Sequence, residues 1–155
     1  MFEWMEYTRL ATWVAESLWG YPIMISLHAI GLGVAVGILV MADLRILGSI
    51  DGIPFVTMRR LMNIAWLGFV VNLLSGSALF TAQASTFVES TPFLIKIPAI
   101  ISALIIAAIM QKQLRSNAND WDAGTTVSVT AKTLALASIA LWLTAIIAGR
   151  LVAYL

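Results

Sequence analysis

The chain alternates long apolar blocks with short polar stretches, and four of the blocks predict helices over 21–44, 61–80, 93–110 and 130–154. At about 1.5 Å of rise per residue, a run of roughly 20 residues covers a hydrocarbon core of about 30 Å. These four blocks read as transmembrane spans. Residues 2–19 carry too many charges to span, yet they keep a helical pattern. Trp4, Tyr7, Ala11, Val14 and Leu18 fall on one stripe, with Glu6, Arg9, Thr12 and Glu16 opposite. That pattern predicts an interfacial amphipathic helix with its aromatic rings at headgroup level. Glu3 and Glu6 stand where the basic region of a signal peptide would be, so this segment does not read as one. "STPF" at 90–93 supplies an N-cap serine and an early proline to open the third span. Pro98 lies deeper and is expected to free the carbonyl of Leu94 and bend that end.

Composition agrees with this pattern. Hydrophobic residues make up 61% of the chain and charged residues 11%, against about 25% charged in soluble domains. The 155 residues fit a single membrane domain, 1–155. The predicted fold is all-α, a transmembrane four-helix bundle with an N-terminal amphipathic helix. A net charge of +1 argues against nucleic acid as a partner, because no basic face is available for phosphates. The absence of cysteine excludes disulfides, thiolate catalysis and iron–sulfur ligation. Six of the nine Lys and Arg residues fall in or beside two loops: Arg45, Arg59 and Arg60 around the first, and Lys112, Arg115 and Lys132 around the second. The positive-inside rule then places these loops in the cytoplasm and both termini in the periplasm.

The single histidine, His28, lies in the first span, roughly 8 Å from its middle by the helical rise. Lys96 sits one turn into the third span from the same side, and Arg150 lies near the end of the fourth. Three cationic or ionisable groups on three helices thus share one depth in the outer leaflet, where polar groups are costly and need partners. Met24, His28, Gly31 and Ala35 lie on one face of the first span, and the small residues leave space beside the imidazole. Gly33 and Gly37 form a GxxxG pair on the opposite face, which favours a close helix neighbour or a homodimer. In the fourth span, Trp142 is a large flat ring within the stripe Ala135, Ser138, Ala145 and Gly149.

A flat apolar cofactor with two carboxylates suits this arrangement. Haem b is the expectation, with His28 as the iron ligand, Lys96 and Arg150 near the propionates, and Gly31 and Trp142 beside the ring. The competing expectation is a membrane subunit without a cofactor, in which His28 bonds a neighbouring helix and the cations reach the interface. Asp43 and Arg45, two residues apart, do not face each other on a helix and are not counted as a site. No Ser/His/Asp arrangement is visible, and the mid-membrane zone reads as free of carboxylates.

The stretches "SLHAIGLGVAVGILVMADLRILG", with His28 and Arg45, and "TPFLIKIPAIISALIIAAI", with Lys96, resemble the small four-helix bacterial membrane proteins around CopD and the HemJ-type protoporphyrinogen oxidases. The ending "AIIAGRLVAYL" resembles uncharacterised relatives of the same kind. The HemJ-like branch implies haem b held by the histidine and the oxidation of protoporphyrinogen, and the expected function here is electron transfer or a haem-linked oxidation using a quinone or a periplasmic donor. The CopD branch implies copper handling. Either branch implies the bacterial inner membrane. A Cu(I) site here would rest on scattered methionines: Met24, Met41, Met58, Met62 and Met110.

Overall fold

The computed structural model describes residues 3–152 and contains seven helices among them. Two short ones, α1 (Glu3–Glu6) and α2 (Arg9–Glu16), precede the long α3 (Gly20–Leu47) and α4 (Phe55–Ala82). A short α5 (Ala84–Glu89) leads into α6 (Thr91–Asp122), and α7 (Val129–Leu151) closes the bundle. The four long helices alternate in direction. α3 packs on α4 and α7, and α6 packs on the same two, which makes a closed ring of four. Each is long and apolar enough to cross a membrane. Leu67, Leu74, Ile105 and Ile147 point outward, as lipid-facing side chains do. The chain is a multi-pass membrane protein of the all-α, four-helix class.

α3, α4 and α6 exceed the apolar blocks for identifiable reasons, whereas α7 stops at Leu151 with Val152 as its C-cap, short of the predicted 154. The buried stripe of α6 runs through Ala103, Ala107 and Met110, then continues through Leu114, Ala118 and Trp121. Three more turns therefore remain anchored although their outer face is polar. α4 starts at Phe55 because a carboxylate from α6 serves its first N–H groups: Phe55 N and Val56 N donate to Asp122 at 2.7 and 3.0 Å. α3 ends at Gly48, whose φ of 82° is the left-handed cap conformation. α6 continues through Pro98 without a break in the helix.

The amphipathic segment differs from the single helix over 2–19 that its stripe predicts. It breaks after α1 because Thr8 adopts an extended conformation and its Oγ1 accepts from Ala11 N at 3.3 Å, which starts a new helix. Only Ala11 and Val14 of the stripe are buried, while Trp4, Tyr7 and Leu18 are exposed. Position 2 and the last predicted residues of the fourth span, 153–154, lie outside the described residues.

The core is densest at the end bearing the two basic loops. There Met58, Met62, Ile46 and Leu114 are fully enclosed, and Phe55 meets Trp121 edge to face at 5.2 Å. Many of the other core positions are alanines, which let the helices approach closely where hydrophobic burial no longer drives association. At the opposite end Phe80, Phe87 and Phe93 stack with centroids 5.4–6.2 Å apart and tie α4, α5 and α6 together.

Candidate functional site

His28 sits on α3 where that helix runs closest to α4. A Cβ added at Gly31 would meet the backbone N of Asn72 at 2.6 Å, and one at Gly68 would meet the backbone N of Ala35 at 2.9 Å. Gly76 of α4 lies against the imidazole itself, since a Cβ there would be 2.8 Å from His28 Cε1. The glycines thus allow the two backbones to close on each other and on the ring.

The ring and Asn72 are bonded in both directions. His28 Nδ1 lies 3.0 Å from the carbonyl oxygen of Asn72, and the Asn72 amide donates to the carbonyl of His28 at 2.8 Å. The Asn72 amide also lies 3.2 Å from Nδ1, so Asn72 engages this nitrogen in either tautomer: Nδ1 donates to the carbonyl when it carries the proton and accepts from the amide when it does not. Ser75 stands beside this pair with its hydroxyl donating to Val71 O at 2.7 Å. Gly76 lies against the Cε1–Nδ1 edge of the ring, where a Cβ would stand 2.8 and 3.0 Å from these two atoms.

Lys96 and His28 are brought together, with the Lys96 ammonium within electrostatic range of the imidazole. The aliphatic arm of Lys96 lies over Gly149 of α7, where an added Cβ would stand 3.2 Å from Nζ and 3.3 Å from Cε. Arg150 is the next residue along and is exposed at the same end of the bundle. Gly31 faces α4 across the seam, where Asn72 and Gly68 occupy the space beside it. Trp142 is 2% exposed within the core, about 10 Å by helical rise from Gly149, and its Nε1 has no hydrogen-bond partner. Gly33 and Gly37 meet nothing within 4 Å inside this chain.

Two polar residues that the sequence left unassigned are engaged inside the bundle. Asn72 is the partner of His28. Asp43, set aside at first, is 2% exposed and faces α7, where the Ser138 hydroxyl reaches its carboxyl and Oδ2 has no partner. The signal for Asp43 lay in Ser138, a hydroxyl within the small-residue stripe of α7. Arg45, two residues on, turns away toward the loop: its Nε donates to Ile53 O at 2.6 Å and its guanidinium covers the Phe55 ring at 4.1 Å.

No protein-family model, no curated protein sequence and no solved structure matches this chain.

Proposed function

We propose that this chain binds haem b through Nε2 of His28 and serves in electron transfer or a haem-linked oxidation at the His28 end of the membrane. The observation that carries the reading is the His28–Asn72 bond. In the tautomer whose Nδ1–H donates to the Asn72 carbonyl, the ring is held in place with the Nε2 lone pair left for ligation. The donor set fits haem better than a bare metal, because among the described residues no three His, Cys, Asp or Glu side chains cluster as a metal site. Lys96 is near enough to serve one propionate, and Arg150 stands at the same end for the other. The bound group would supply one-electron chemistry, while the chain orients the ligand and keeps it in a water-poor setting. The positive-inside rule supports a bacterial inner-membrane orientation with this end periplasmic, where a quinone or a periplasmic partner would exchange electrons. The exposed GxxxG face of Gly33 and Gly37 supports a homodimer.

The reciprocal bonding favours a second reading, in which His28 and Asn72 are only a polar clamp within an assembly subunit. Copper handling gains little support, since Met58, Met62 and Met110 are buried in the core at the far end from His28. A visible spectrum of protein produced with ample haem supply separates the first two readings. A Soret band that shifts on dithionite reduction supports haem, and its absence supports the clamp.

A further inference from the structure

At the end of the bundle opposite His28, a cleft between α4 and α6 is lined by Arg59, Arg60, Asn63 and Arg115. The arginines lie within two turns of the helix ends, at headgroup depth for a spanning bundle. Among the described residues no carboxylate lies within ion-pair distance of any of the three guanidinium groups. Two acids at this end are engaged elsewhere: Asp51 pairs with Arg45 at 3.7 Å, and Asp122 caps α4. Three like charges gathered in one cleft repel each other unless an anion joins them.

The fourth lining residue is oriented as a donor. Trp66 Nε1 donates to Gln111 Oε1 at 2.9 Å, and Gln111 Nε2 donates to Asn63 Oδ1 at 3.4 Å. An indole N–H can only donate, so it fixes the Gln111 amide, which in turn fixes Asn63 with its oxygen inward. The Asn63 NH2 group is what remains for the cleft. Every group there is a hydrogen-bond donor, the match for phosphate oxygens. From Asn63 toward the bilayer centre, Leu67, Val70 and Leu74 follow on α4 and are all exposed, a surface for acyl chains rather than for water.

We infer that this cleft is a binding site for the phosphate of an anionic phospholipid, held by Arg59, Arg60, Arg115 and Asn63 with its acyl chains along α4. Basic clefts between membrane helices take anionic headgroups in this way. The site is independent of His28 and of any cofactor.

The test is native mass spectrometry of the full chain in detergent, offered equal amounts of phosphatidylglycerol and phosphatidylcholine with the same acyl chains. The protein is expected to retain phosphatidylglycerol preferentially. The double variant R60Q/R115Q is expected to lower that preference by about thirtyfold, the scale of two lost surface cation contacts. Trp66→Phe keeps the charge but removes the donor that fixes Gln111, and is expected to lower the preference severalfold. Diffuse attraction to a basic surface would not register that change. Melting temperatures of the variants check that they remain folded. A preference unchanged in R60Q/R115Q, or unchanged in Trp66→Phe, would overturn the site. Displacement of the lipid by excess inorganic phosphate would overturn the lipid assignment and leave a soluble oxyanion as the ligand.

Discussion

Asp122, the last residue of α6, caps the start of α4, with both carboxylate oxygens accepting from the N–H groups of Phe55 and Val56. Pro54 precedes them and offers no side-chain cap of its own. A negative group at this position also complements the positive end of the helix dipole. Asp122→Ala is expected to lower stability by about 1 kcal/mol, the usual loss for an N-cap. Thermal unfolding in detergent measures it, and an unchanged melting temperature would show that water replaces the cap.

The glycines of α3 divide into two kinds, and substitution separates them. Gly31→Ala puts a methyl group against the α4 backbone, which cannot move aside as a side chain would. The expected loss is about 1–3 kcal/mol, as for overpacking. Gly37→Leu enters open space and is expected to leave the melting temperature of the isolated bundle unchanged. A smaller oligomer on size exclusion for Gly37→Leu alone would assign that face to a second copy.

At the His28 end, Ser85 of α5 holds Glu6 of α1. Its hydroxyl and its backbone N–H donate to Glu6 Oε1 at 2.5 and 2.8 Å, and these bonds hold the carboxyl below its ordinary value of 4.5. A depressed folded-state value means that the contact contributes fully above the ordinary glutamate range and is lost as pH falls through the lower value. Hydrogen exchange is expected to show the Ser85 amide protected at neutral pH and unprotected in acid. Glu6→Ala should lose that protection at every pH, and its retention would remove Glu6 from the contact.

Orientation follows from charge. A cysteine replacing Ser49, in the loop after α3, is expected to resist membrane-impermeant labels in intact cells and to react after lysis. Labelling from outside would reverse the topology.

The four spans were legible because lipid demands long uninterrupted apolar runs. Their ends were not, because Leu114, Ala118 and Trp121 sit on one face of a segment whose average is polar, and because Asp122 caps a helix 67 residues away. The break at Thr8 was hidden for a similar reason: the stripe keeps its period across a residue that stops the helix and restarts it. At the site, the shared depth of His28 and Lys96 was readable from span positions alone. The pairing of His28 with Asn72 was not, since it depends on how α3 and α4 are rotated about their axes. The burial of Asp43 was missed because a carboxylate near a helix end reads as interfacial until the face it occupies is known.

The most direct measurement is the visible absorption spectrum of the purified wild-type protein and of His28→Ala, each produced with ample haem. A Soret band that shifts on dithionite reduction is expected in the wild type and is expected to be lost in His28→Ala. Circular dichroism should remain helical in both, because the buried stripes that pack α3, α4, α6 and α7 do not include the imidazole. Lys96→Met should weaken haem retention less, since a propionate near the interface finds other partners. Haem bound undiminished in His28→Ala would show that His28 is not the ligand, and no Soret band in the wild type would show that the chain binds no haem.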